Sequence, residues 1–164
     1  MRNIKKIFTL VLSLILLFAI GCDTESKTGG KVTPPSEPET TEEGYFPPPA
    51  GDYKDDTLYS MYDERGYTKV STITEKGIQK TKIEGTWLFI KDDGTESGQN
   101  HSPSIEKWKK TTKGGKTIKL EGEYYSETNG GKYTIIYDYA SETLSCTFAS
   151  DSGKKYSFNG KKIS

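Results

Sequence analysis

Apolar and polar residues alternate along most of the chain after about residue 53, with the two-residue period of a strand that buries one face. This pattern predicts strands at 67–74, 78–90, 118–124, 133–139, 144–148 and around 156–158. The segment 128–131, Thr-Asn-Gly-Gly, supplies the positive backbone φ angles that a tight hairpin turn needs. The pattern therefore predicts an all-β domain, an antiparallel meander that closes as a small barrel or a sandwich.

One stretch, 102–110, fits two kinds of element. Ser102 suits a helix N-cap, Pro103 suits the first helical position, and Ile105 and Trp108 stand three residues apart. The same residues also fit a strand with one polar face. We favour the strand and leave the helix open.

The first 21 residues have the order of a secretory signal. Arg2, Lys5 and Lys6 form a basic start, and no charged residue follows from 7 to 21. The apolar run is shorter than the roughly 20 residues that span a bilayer. A segment that is cleaved after export is therefore expected here, rather than a membrane-spanning helix.

The end of this segment, 18–22 or Phe-Ala-Ile-Gly-Cys, resembles the lipobox of bacterial lipoproteins, including the loose versions found in spirochaetes. The resemblance implies cleavage between Gly21 and Cys22, a diacylglyceryl group on the Cys22 thiol and a fatty acyl group on its new amino group. The chain would then be anchored to a membrane of the cell envelope. Asp23 resembles the inner-membrane retention signal of enteric bacteria, but we favour the outer membrane.

The anchor is followed by a segment with the composition of a flexible linker, 22–51. Six of the seven prolines lie between residues 34 and 49, and apolar residues are almost absent before Tyr45. Such a composition buries too little surface to offset the entropy of ordering. We therefore expect a disordered linker up to residue 51 and a globular domain over 52–164.

Charge and residue types exclude several classes of function. The chain has 23 basic and 23 acidic residues, and loss of Arg2, Lys5 and Lys6 leaves 20 against 23, a net charge of −3. That balance argues against nucleic-acid binding. His101 is the single histidine and lies in a polar segment, where we expect it to be solvated. We predict no enzyme, no catalytic residue, no metal and no cofactor.

Cys146 is the one thiol left after lipidation of Cys22, so no disulfide within the chain is expected. It shares the apolar face of Leu144 and Phe148 on a predicted strand. We predict that it is buried and chemically inert.

The tripeptide Gly85-Thr86-Trp87 is similar to the Gly-x-Trp motif on the first strand of lipocalins and of lipocalin-like bacterial lipoproteins. That resemblance implies a tryptophan that plugs the closed end of a barrel holding a small hydrophobic ligand. In this chain the motif follows one or two predicted strands instead of opening the barrel.

Tyrosine is unusually frequent, with 11 in the chain. Most lie in the β-rich part: Tyr59, Tyr62, Tyr67, Tyr124, Tyr125, Tyr133, Tyr137, Tyr139 and Tyr156. Tyrosine packs well in strands and is also favoured at recognition surfaces. The expected function is a surface-displayed binding or antigenic module with a protein or glycan partner, and the alternative is a lipocalin-like carrier of a small hydrophobic ligand.

Overall fold

The computed structural model describes residues 37–62, 66–91 and 93–163. The predicted signal peptide, Gly21, Cys22 and the first part of the predicted linker lie outside these residues. Within them the chain forms eleven strands and one helix: β1 (Glu39–Gly44), β2 (Gly51–Lys54), α1 (Asp56–Tyr62), β3 (Tyr67–Glu75), β4 (Ile78–Ile90), β5 (Glu96–His101), β6 (Ser104–Ile105), β7 (Trp108–Lys113), β8 (Lys116–Ser126), β9 (Gly131–Asp138), β10 (Thr143–Ser150) and β11 (Lys155–Lys162).

All strand pairings are antiparallel and belong to one sheet, which confirms the predicted all-β class and the antiparallel meander. Strands β7 to β11 follow one another as a meander. β11 then pairs with β2, and β2 leads through β3 and β4 to β5. One short pairing closes the sheet on itself, because β11 also pairs with β4, whereas β6 continues the edge of β5 along β4. The ring is therefore partly closed.

The core lies on the face of the sheet that the two-residue pattern marks as apolar. Trp87, Ile135 and Leu144 have no exposed surface. The predicted hairpin turn joins β8 to β9, where Gly130 has a φ of +54° and its N–H donates to the Glu127 carbonyl at 3.3 Å. The sequence pattern therefore placed both the buried face and this turn correctly.

The undecided stretch 102–110 is strand, not helix. The Pro103 carbonyl accepts a hydrogen bond from the Ile83 N–H at 3.0 Å, which continues the ladder from β5 into β6. Trp108 then enters the core, and its Nε1 donates to Thr81 Oγ1 at 3.2 Å. Pairing with β4 and β8 outweighs the local helix signals.

The linker prediction does not hold for its last part. β1 lies inside the predicted linker and pairs with β7 over six residues. The segment 45–49 packs onto the domain as well, because Tyr45 and Phe46 contact the core and Pro48 is buried. These segments are ordered by backbone pairing and by aromatic contacts at the sheet edge. Neither kind of contact requires a long apolar run, so the composition alone indicated disorder.

The short helix α1 was not predicted from the sequence. Asp55 caps it, since Oδ1 accepts the N–H groups of Thr57 and Leu58 at 3.0 and 3.2 Å. Its other oxygen, Oδ2, accepts the Asn159 N–H at 2.8 Å and so ties the helix to β11. No helix in the described part of the chain has the length and apolarity needed to cross a membrane.

Candidate functional site

Cys146, which the sequence predicts to be buried and inert, lies in the core. It is on β10 with 1% of its surface exposed, and it forms no disulfide among the described residues. Burial raises the pKa of its thiol well above the ordinary value, so the group stays neutral. The predicted burial is confirmed, and a neutral, enclosed thiol is a poor nucleophile.

The Gly85-Thr86-Trp87 motif lies in the middle of β4. Gly85 pairs with Thr68 on β3 and with His101 on β5, so these three positions form one row across the sheet. A Cβ at Gly85 would overlap Thr68 Oγ1, which explains why this position carries no side chain. Two residues further on, Trp87 points to the same face and is completely buried.

His101 is not solvated, and that prediction is wrong. It ends β5 with 5% of its surface exposed, and its ring stacks on Trp87 with 4.6 Å between the ring centroids. The local composition is polar, but pairing with Gly85 turns this side chain onto the inner face. Burial lowers the pKa of His101 to about 4, so the imidazole is neutral at ordinary pH.

A short hydrogen-bonded chain holds the imidazole in place. Asn129 Nδ2 donates to Tyr133 Oη at 3.0 Å, and Tyr133 Oη lies 3.2 Å from His101 Nδ1. In a neutral ring, either Tyr133 Oη donates to Nδ1 and Nε2 carries the proton, or Nδ1–H donates to Tyr133 Oη. His101 Nε2 and Trp87 Nε1 are buried without a hydrogen-bond partner among the described residues.

Six rings form what we call the aromatic cluster: Trp87, His101, Tyr124, Tyr133, Phe148 and Tyr156. Phe148 lies 4.5 Å from Tyr133 and 5.3 Å from His101, centroid to centroid, and Tyr156 lies 4.9 Å from His101. These rings fill the space beside Trp87 where the lipocalin resemblance would place a ligand.

The cluster reaches the surface at Tyr124, which stacks on Tyr133 at 6.1 Å and is 42% exposed. Its neighbour Tyr125 points to the opposite face of β8 and is 54% exposed, with its hydroxyl donating to Asp151 at 2.6 Å. Stacking and hydrogen bonding hold both rings in defined orientations. Ordered, exposed tyrosine rings are a feature of recognition surfaces, and here the two rings serve opposite faces of β8.

Two strand edges near Tyr124 have no partner among the described residues. β7 pairs with β8 only as far as Gly122, so in this part of the chain residues 123–126 pair with β9 alone. Within the described ranges β5 pairs only with β4, and its last residue, His101, contacts the same Tyr133 ring as Tyr124 does. The open part of the ring thus combines aromatic surface with backbone groups available for hydrogen bonding. The period-two pattern marks the tyrosines, but the free edges follow from the strand order, which the pattern does not reveal.

The remaining tyrosines divide between core and surface. Tyr53 and Tyr137 are buried and contact each other edge to face at 6.1 Å, whereas Tyr59 and Tyr139 are exposed. Lys54 Nζ lies over the Tyr59 ring at 3.9 Å from its centroid. The high frequency of tyrosine therefore reflects both strand packing and exposed surface, and Tyr124 is the member of the aromatic cluster with the exposed ring.

Across residues 37–62, 66–91 and 93–163, no three His, Cys, Asp or Glu residues come close enough together to hold a metal ion. No protein-family model, no curated protein and no solved structure matches this chain.

Proposed function

We propose that this chain is a lipoprotein of the bacterial cell envelope, anchored through Cys22, that displays its small β domain as a binding module for a protein or glycan. The anchor is proposed from the basic start, the apolar run and the lipobox resemblance at 18–22. We further propose that the domain is not an enzyme and uses no cofactor. The outer membrane remains our preferred location.

The observation that carries the binding proposal is the exposed Tyr124 ring, which stacks on Tyr133 and lies on the part of β8 that pairs only with β9 among the described residues. Large amphipathic rings that are already ordered lose little entropy on binding. Tyr124 is supported from below by the fully packed Tyr133, so the surface is preorganised.

A lipocalin-like carrier is the alternative, and it is supported by the Gly85-Thr86-Trp87 motif with its buried tryptophan. A ligand beside Trp87 would have to displace His101, Tyr133 or Phe148, whose rings occupy that space. Native mass spectrometry of the purified chain tests this alternative. A co-purifying hydrophobic molecule that is lost in Trp87→Phe would favour the carrier over the binding module.

The anchor is tested by Cys22→Ser with cell fractionation. We expect the unchanged chain in the membrane fraction and the variant in the soluble fraction, because two or three acyl chains hold a protein firmly and none does not. Mass spectrometry of the mature amino terminus should show an acylated Cys22. An unmodified amino terminus, or a variant that stays bound to the membrane, would contradict the anchor.

The binding surface is tested on a glycan array and against candidate envelope proteins with matched tyrosine variants. Tyr124→Ala and Tyr59→Ala both remove a partly exposed ring, but only Tyr124 belongs to the aromatic cluster. We expect Tyr124→Ala to abolish binding that Tyr59→Ala retains. Equal binding by both variants would place the contact elsewhere. Protease treatment of intact cells that leaves the chain uncut would contradict display on the outer surface.

A further inference from the structure

The edge strand β1 is held to the domain by few kinds of contact. It pairs with β7 along its whole length, but its side chains are exposed except at the half-buried Gly44. Beyond the backbone ladder, Thr40 Oγ1 lies 2.7 Å from Thr112 Oγ1, and Glu42 forms an ion pair with Lys110. Exposed ion pairs each contribute about 0.2–1 kcal/mol. β1 is therefore held by its backbone ladder and surface contacts, and its departure removes no buried side chain of its own from the core.

The strand that β1 covers is strongly basic. β7 contains Lys109, Lys110 and Lys113 and no acidic residue, whereas β1 contributes Glu39, Glu42 and Glu43. The register places Glu39 opposite Lys113 and Glu43 opposite Lys109. Without β1, β7 presents a row of unpaired backbone groups flanked by lysines, which is a template for another acidic strand.

Detachment of β1 would end at Gly44, because the next residues are packed independently. Tyr45 and Phe46 contact the core, Pro48 is buried, and Tyr53 Oη donates to the Pro49 carbonyl at 2.7 Å. The core thus stays covered when β1 leaves β7. The movement needed is a rotation of six residues about Gly44.

We propose that the β7 edge is an exchange interface between two copies of this chain, at which β1 of each copy pairs with β7 of the other. The occupant is a second copy because its β1 has the charge and register complementarity shown by the β1–β7 ladder. In the exchanged dimer each β1–β7 ladder has the same contacts as in the closed monomer, and a twofold axis relates the two ladders. The free energies of the two forms therefore differ mainly by the entropy of association. This inference goes beyond the proposed function and does not depend on the lipid anchor.

Cysteines at the close Thr40–Thr112 pair test the exchange directly. The full chain carrying Thr40→Cys and the full chain carrying Thr112→Cys are expressed in the same cells and mildly oxidised. A disulfide between positions 40 and 112 then joins two chains by construction, and mass spectrometry of linked peptides identifies it. We expect it at about tenfold the yield of a collision control, because exchange raises the effective concentration of the two thiols.

The collision control pairs Thr40→Cys with Ser157→Cys, since Ser157 is exposed on β11 and does not contact β1. A yield of the 40–112 disulfide no higher than that of the control would overturn the proposal. A single chain carrying both Thr40→Cys and Thr112→Cys checks the geometry and should form the bond internally. Failure of that internal bond would overturn the ladder and the exchange together.

Charge reversal provides a second experiment, whose outcome is the change in disulfide yield relative to the Thr40→Cys and Thr112→Cys chains. Glu42→Lys is added to the Thr40→Cys chain, and Lys110→Glu is added to the Thr112→Cys chain. Each chain then has like charges across its own ladder at this position and opposite charges across the exchanged one. We expect the yield of the 40–112 disulfide between chains to increase several-fold. No increase in that yield would contradict exchange through this register.

Discussion

The aromatic cluster and β1 are two regions of one sheet that are held in opposite ways. In the cluster, Trp87 and Tyr133 are buried, and their rings touch several others. In β1, five of six side chains are exposed and the strand is held by backbone pairing and surface charge. Burial of apolar area provides most of the free energy of folding, whereas exposed ion pairs provide little. The cluster should therefore unfold with the whole domain and β1 should open alone.

Trp87→Ala is the strongest test of this difference. Removing a fully buried tryptophan leaves a cavity under His101 and Tyr133, and such substitutions cost about 3–5 kcal/mol. The matched change in β1, Thr41→Ala, removes exposed atoms and should cost less than about 0.5 kcal/mol. Urea denaturation measures both free energies of unfolding. A similar loss in the free energy of unfolding for Trp87→Ala and Thr41→Ala would contradict the difference between the aromatic cluster and β1.

The pH dependence of stability tests the same region through His101. Its pKa is about 4 in the folded chain and about 6.5 when unfolded, so the unfolded chain binds a proton first as the pH falls. Stability from burying the neutral ring is fully present above about pH 6.5 and is lost progressively as the pH falls from 6.5 to 4. Between pH 7 and pH 5 we expect the free energy of unfolding to fall by about 2 kcal/mol from this group.

His101→Phe is the control, because it keeps an aromatic ring on Trp87 and removes the titrating group. His101 is the only histidine in the chain, so the difference in pH slope between the two proteins isolates its contribution. Urea midpoints at pH 7 and pH 5 give that difference. Parallel slopes for the unchanged chain and His101→Phe would show that the imidazole is not buried in its neutral form.

The same two regions show what the sequence reveals about this fold. The period of two marks the inner face at Ile135, Leu144 and Trp87, because burial requires apolar side chains at alternate positions. The alternation reveals neither the burial of His101 nor the order of β1. His101 is buried because the β4–β5 register places it beside Trp87, and β1 is ordered because β7 offers it a partner. Both depend on residues far away in the chain, which local composition does not encode.

The candidate site, like the fold, was predictable from the sequence only in part. Cys146 and the tyrosines follow from their alternation, and the burial of Cys146 is confirmed. The pairing of Tyr124 with Tyr133, and the free edges beside them, follow from which strands are neighbours. The lipid anchor at Cys22 rests on local sequence and stays a prediction, since Cys22 lies outside the described residues.

The smallest effect is expected in β1, where hydrogen exchange can separate local from global opening. The β1 amides that face β7 should exchange through openings of less than about 2 kcal/mol, whereas the Ile135 amide in the centre of the sheet should need global unfolding. Lys113→Glu places like charges at the Glu39–Lys113 pair, whose atoms lie 3.8 Å apart. It should lower the protection of β1 by about twofold to fivefold and leave Ile135 unchanged.

Adding Glu39→Lys to Lys113→Glu restores opposite charges and should restore most of the protection of β1. The free energy of unfolding should stay within about 0.5 kcal/mol in all three proteins, because both side chains are largely exposed. If the single charge reversal lowered the protection of Ile135 as much as that of β1, the edge strand would belong to the same cooperative unit as the aromatic cluster. β1 would then not detach on its own, and strand exchange between copies would require unfolding of the whole domain.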